Sequence, residues 1–356
     1  MGFDAGCAVS SSEVFETSLS AHLASFADRL FVLSGDRRGG TGERSEGNKR
    51  IILGQSFYAP DKTLAALDKE LLFPEYDTVV LFYGYHPATL SGLLKIRKKY
   101  GFKLFSYTFD IHSISGNPLK RLLGNIYLGS GIRMLNFTDG VLLLNEEAVR
   151  GLSLRVPHFV SRIGSSGAAS TAADAAPLKA GRVSLLYSGA FEEYNGIREL
   201  MAAARELPEG VTVRICGNGR LEEYVKKEAA ENPAAEYLGY LSPDKLAREI
   251  LSADILLNLR NPGSRVCAYS FPSKMISYLA SGKRIVTTEF PCRLKLSQMC
   301  YTIKDLKPES ISGGISAAIS DEKPHEKIRA AQSYIKKYCD WEDISREIAD
   351  FMFGCR

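Results

Sequence analysis

The chain lacks the marks of several functional classes. Its seven cysteines are scattered over 356 residues, and none pairs with another as C-x-x-C. That excludes the familiar zinc-site spacings. The odd number and the apolar settings, Cys216 within Val213–Gly217 for example, read as reduced, buried thiols. No apolar run reaches the ~18 residues that a membrane span needs. The start of the sequence has neither the basic segment nor the apolar stretch of a secretory signal. The expected location is therefore cytoplasmic, free or peripheral on the inner face of the cell membrane. Formal net charge is only +4, too little to point to a nucleic-acid partner.

What is present is the composition of a folded protein, 45% hydrophobic and 24% charged, at a length that suits two domains. Apolar runs predict strands at Leu30–Ser34, Arg50–Gly54, Thr78–Tyr83, Lys103–Phe109, Gly140–Leu144 and His158–Val160. In the second half they predict Val183–Ser188, Thr212–Cys216, Glu236–Leu238, Asp254–Leu259 and Arg284–Thr288. Amphipathic stretches such as Ala88–Tyr100, Ile197–Leu207, Pro243–Leu251 and Ser273–Ser281 lie between them. This alternation reads as α/β, with parallel sheets covered on both faces. Residues 164–181, small and polar, read as a linker between domains at 1–178 and 179–356.

In open parallel sheets, ligands bind beyond the carboxyl ends of the strands, where helix starts and glycine loops attract anions. The second half offers three such places. Gly189 follows a strand and precedes Asn195-Gly196. Gly217-Asn218-Gly219 follows the next strand and reads either as an anion loop or as a tight turn. The sharpest is Tyr269-Ser270-Phe271-Pro272-Ser273-Lys274, with Pro272 in a first helical turn and Gly282 past the helix end. The Lys274 side chain has two readings there, a phosphate contact or a solvated lysine.

At these residues the chain resembles glycosyltransferase family 4, retaining enzymes of the GT-B fold with two Rossmann-like domains facing a cleft. The likeness spans residues 183–353. It runs through Leu185–Gly189, Asn195-Gly196-Ile197, Ile215–Gly219, Tyr237–Leu241, Ala253–Asn258, Tyr269–Lys274 and Tyr278–Lys283, and Trp341 fits the family's final helix. That final helix is expected to pack back on the first domain. The closest branch is the one that assembles bacterial surface polysaccharides.

The resemblance implies a nucleotide diphosphate sugar as donor, held without metal or other cofactor by the second domain. It implies transfer with retention to a glycan or polyprenyl-diphosphate-linked acceptor. The donor-binding set it implies is Gly189, Gly217, Asn218, Gly219, Arg260, Phe271, Pro272, Ser273, Lys274 and Ser277. In the first domain it places Asp110 and His112, at a strand end, on the sugar or the acceptor as the catalytic pair; the alternative is a polar turn.

The chain departs from the family at four positions. Two usual basic positions are Ala190 and Asn195, and the usual glutamate pair falls on Tyr269 and Ser277. Arg260, Arg265 and Lys274 remain as cations for a phosphate. The departures keep a second reading open, a non-catalytic GT-B partner protein. Lys95, Arg97, Lys98, Lys99 and Lys103, with no acid among them, read as a solvated helix face or as a contact for an anionic membrane. The apolar segment Leu119–Met134 reads as core or as an interfacial helix beside them.

Overall fold

Two fully parallel sheets organise the molecule, a computed structural model that describes residues 19–26, 30–35, 42–46, 49–54, 61–70, 79–108, 117–165, 178, 181–292 and 294–354. The first sheet takes its strands in chain order: β4 (Val79–Tyr83), β5 (Lys103–Tyr107), β6 (Gly140–Leu143) and β7 (His158–Val160). Ahead of it, β1 (Leu30–Gly35), β2 (Gly42–Glu46) and β3 (Lys49–Gly54) make a separate small sheet of order β1-β3-β2. The second parallel sheet contains β8 (Val183–Ser188), β9 (Val211–Cys216), β10 (Ala235–Gly239), β11 (Ile255–Asn258), β12 (Arg284–Thr288) and β13 (Tyr301–Ile303). Its order is β10-β9-β8-β11-β12-β13.

The predicted strands are thus present, within a residue or two at their ends. Two strands were not predicted. Polar β2 carries no apolar alternation and pairs at a sheet edge through its backbone. Three-residue β13 is too short to show a pattern. The continuous Val/Ile/Leu runs have the reason expected. Leu185, Tyr187, Val213, Ile215 and Leu257 fill a core on one side of the second sheet. Leu186, Leu256 and Ile285 face the other side, where the final helices pack.

Several contacts join the halves. The Trp341–Phe353 helix packs against the first sheet, with the Phe351 ring 5.5 Å from Phe105 and 5.6 Å from Phe159. Trp341 lies directly over Gly164, and the Ser165 N–H donates to the Cys339 carbonyl at 2.7 Å. Gly164 and Ser165 therefore belong to the packed structure, not to a loose linker. Of the rest of that expected linker, Leu178 and Gly181 are described, and residues 166–177 and 179–180 lie outside the described residues. Asn145, buried at the carboxyl end of β6, donates through Nδ2 to the carbonyls of Ala268 and Pro291, each at 2.8 Å. The carboxyl end of the first sheet thus faces the second half and touches it at Asn145. All five described cysteines are free thiols.

A β-carbon on Gly164 would stand 2.2 Å from the Trp341 ring. Gly164→Ala is expected to displace the final helix and cost about 1–3 kcal/mol. Urea denaturation measures this, and an unchanged midpoint would refute the role given to that contact.

Candidate functional site

Numbered within itself, the second sheet runs 3-2-1-4-5-6, so strand order reverses between β8 and β11. Such a reversal leaves a crevice beyond the carboxyl ends, since the two flanking connections diverge. Gly189 follows β8 there and Arg260 lies just past β11. The Lys274–Ala280 helix starts beside them. Its Lys274 Nζ donates to the Ser188 carbonyl at 2.9 Å. A β-carbon on Gly189 would meet that nitrogen at 3.5 Å, an ordinary contact, so the positive φ of 152° and not crowding favours glycine there. The ammonium also lies 4.7 Å from the Tyr187 ring centroid and 5.8 Å from that of Tyr278.

Arg260 is buried, and Lys274 is half-buried. Its N–H donates to Thr288 Oγ1 at 2.9 Å, and its guanidinium donates to the Ser270 carbonyl at 3.2 Å and to Ser270 Oγ at 2.8 Å. Among the described residues, no carboxylate pairs with either cation; their partners are carbonyls, hydroxyls and rings. Burial, and then the nearby Arg260 charge, lower the Lys274 pKa to about 7. The neighbouring Cys216 thiol offers no counter-charge, since burial pushes it up to about 11. Two cations held together without an acid form a site that an anion would complete.

The expected glycine loops do other work. The Gly189 N–H donates to the Cys216 carbonyl at 3.1 Å and the Gly217 N–H to the Gly239 carbonyl at 3.0 Å. Neither amide is free for a phosphate. Gly217, at φ 139°, has no room for a β-carbon, which would fall 1.9 Å from the Gly189 carbonyl oxygen. The tight-turn reading of that loop is therefore the one the packing supports, while Asn218 and Gly219 stay exposed at its rim.

At the helix start, Pro272 precedes the first turn instead of sitting in it. Ser273 is the cap, and Met275 and Ile276 bond back to the carbonyls of Pro272 and Ser273. Phe271 stacks edge-on against Phe290, 5.7 Å between centroids. Gly282, at φ 73°, ends the helix as expected. The Lys274 side chain turns inward onto the Ser188 carbonyl and is not the solvated lysine of the second reading. Ser277 is exposed, and Arg265 leaves the crevice to lie over the Tyr269 ring. Asp110 and His112 lie outside the described residues.

Two of the four departures, Asn195 and Tyr269, have local explanations. Asn195 donates through Nδ2 to the Ala190 carbonyl at 2.9 Å, so it closes the loop where relatives carry charge. Tyr269 packs on Gly151 of the first half, where a β-carbon would stand 2.2 Å from its ring. Sequence reasoning missed Ser270 and Thr288, which hold Arg260, and Asn145. Ser270 lay inside the quoted motif; nothing marked the other two, because their partners are distant in the chain.

An anion arriving beside Lys274 favours its charged form, so binding above about pH 7 takes up a proton. At pH 8, calorimetry of a nucleoside diphosphate in buffers of different ionisation enthalpy is expected to show uptake approaching ~1 proton. Lys274→Met is expected to abolish it, and affinity should fall as pH rises from 7 to 9. Equal uptake in the variant would assign the proton elsewhere.

No curated protein matches this chain by sequence. Residues 182–321 match the family Glycosyl transferases group 1. Among solved structures, the chain is similar to Anabaena HepE in complex with UDP, at TM-score 0.68 and 14% identity over 95% of this chain and 96% of that one. It is similar to the E. coli trehalose-6-phosphate protein bound with UDP-2-fluoro glucose, at TM-score 0.70 and 11% identity over 99% and 98%. It is also similar to WaaB, a lipopolysaccharide outer core galactosyltransferase, at TM-score 0.65 and 16% identity over 98% and 97%. Residues 182–321 are therefore a group 1 glycosyl transferase domain, set in a chain with the GT-B fold, as the resemblance implied.

Proposed function

We propose that this glycosyltransferase moves a sugar from a nucleotide diphosphate donor to a glycan or lipid-linked acceptor, with retention and without a metal, in surface polysaccharide assembly. The observation that carries the reading is the pair of basic side chains, buried Arg260 and half-buried Lys274, without an acidic partner at the strand-order reversal. The solved relatives with UDP or a UDP sugar share the fold and support a nucleotide sugar as the ligand class.

Charge grows on the leaving diphosphate as the glycosidic bond breaks. Fixed cations in a water-poor site offset it without reorganising. Arg260 is held by Ser270 and Thr288, and Lys274 by the Ser188 carbonyl, so both are oriented before the donor arrives. Half-exposed Phe271 and Ser273, on either side of buried Pro272, and the rim at Asn218-Gly219 flank the nucleotide's entry. Ser277, exposed, offers at most one hydroxyl contact. Asp110 and His112 orient the sugar hydroxyls or the acceptor in this scheme.

A panel of nucleoside diphosphates in calorimetry, followed by mass spectrometry of products formed from the sugar donor that binds, tests the proposal. Arg260→Gln is expected to weaken diphosphate binding at least tenfold, about 1.4 kcal/mol. Absence of binding by the parent protein to every nucleotide would end the reading. Tight binding with neither transfer nor slow donor hydrolysis would select the non-catalytic partner, which the missing carboxylates at Tyr269 and Ser277 favour.

A further inference from the structure

The helix Pro118–Met134 was expected to be core or interfacial, and its first half is plainly not core. Leu119 is 65% exposed, Leu122 and Leu123 58% each, and Ile126 60%. Their spacing, i, i+3, i+4 and i+7, puts them on one face of the helix. Lys120 and Arg121 are exposed in the same half, and residues 117–134 contain no Asp or Glu. Four large aliphatic side chains on one face, with Lys120 on its flank, exceed the scattered apolar exposure of a solvated surface.

The position of this half-helix follows from its contacts. Its second half docks on the segment after β4: Tyr127 Oη lies 3.2 Å from His86 Nδ1, and Gly131 sits against the Tyr85 carbonyl and Pro87. The chain beyond the helix reaches the opposite end of the sheet, where Asp139 Oδ2 accepts from the Leu104 N–H at 2.7 Å, near the start of β5. The helix therefore runs back along the sheet from the carboxyl to the amino ends of the strands. Residues 117–126 overhang the carboxyl ends by roughly 15 Å at 1.5 Å per residue. Those ends face the second half, as the Asn145 bonds show.

We propose that this overhanging half-helix seats the chain on an anionic lipid surface, with the mouth of the cleft turned toward the lipid. The apolar face enters the boundary between headgroups and acyl chains, Lys120 on its flank meets anionic headgroups, and Arg121 on the far side adds to the positive potential. No described helix is long and apolar enough to cross a membrane, so the contact is peripheral. The lysine-rich stretch of the preceding helix does not take this role. Arg97 pairs with Asp139 and Lys99 with Asp68. Lys103 opens β5, so with Lys95 and Lys98 it marks the end of the sheet away from the cleft. A bilayer seated there would face away from the site.

The inference draws its purpose, delivery of a lipid-linked acceptor, from the proposed function, but the contact itself is tested without nucleotide or sugar. The full chain is floated with vesicles of phosphatidylcholine alone and of phosphatidylcholine with phosphatidylglycerol. Binding is expected only to the anionic vesicles and is expected to weaken in high salt. Leu122→Gln with Ile126→Gln is expected to lower partitioning at least tenfold with an unchanged melting curve, and Lys120→Gln with Arg121→Gln to lower it severalfold. Lys95→Gln with Lys98→Gln is expected to leave it unchanged. No binding by the parent chain, or binding that survives the apolar substitutions, overturns the proposal. So does a parent dimer that Leu122→Gln with Ile126→Gln converts to monomer while vesicles remain unbound; the stripe would then belong to a second copy.

Discussion

The structure depends on placing Arg260 and Lys274 near each other, largely out of water, with no acid beside them, and the lysine gives way by a pKa lowered to about 7. Arg260 and Lys274 meet this constraint with carbonyls, hydroxyls and aromatic faces. Each of those partners is itself anchored. Ser270 Oγ donates to the Val266 carbonyl at 2.6 Å, and Ser188 Oγ shares a 2.9 Å bond with the Tyr278 hydroxyl. Burial raises the Tyr278 hydroxyl's pKa, so it stays neutral and adds no counter-charge. Buried charge without a partner is costly. The pair sits at the strand-order reversal, where the connections leave a crevice, and the proposed diphosphate donor would offset that cost.

The same short segment ties this charge to the other half of the molecule. Ala268 accepts from Asn145, Tyr269 packs on Gly151, and Ser270 holds the Arg260 guanidinium. Three consecutive residues thus connect the carboxyl end of β6 to the cationic pair. A tyrosine in place of a family glutamate makes sense here, because the position faces an apolar surface of the first half. Trp341 on Gly164, and Phe351 between Phe105 and Phe159, close the opposite side of the junction. Relative placement of the halves and placement of the guanidinium are therefore linked through packing that is dense enough to transmit displacement.

The helix Pro118–Met134 shows how context decides a segment's meaning. Its second half packs on the loop after β4, while the first half, of similar apolar content, projects past the sheet. The lysine stretch reverses in the same way. As sequence it is a block of positive charge; in the fold, Arg97 and Lys99 are paired and the rest sits at the far end of the strands.

The sequence by itself determined the α/β class, nearly every strand, the helix start at Ser273-Lys274 and the family likeness. These rest on local apolar runs, on cap and turn chemistry, and on motif spacing, all of which are short-range. Only the tertiary structure decided that Lys274 turns inward, that the amides of Gly189 and Gly217 are already spent, and that Asn195 closes a loop. It alone decided that Asn145 bridges the halves and that Leu119 to Ile126 face solvent. Each of those outcomes turns on a partner brought from a distant part of the chain, and neither composition nor periodicity records which partner arrives.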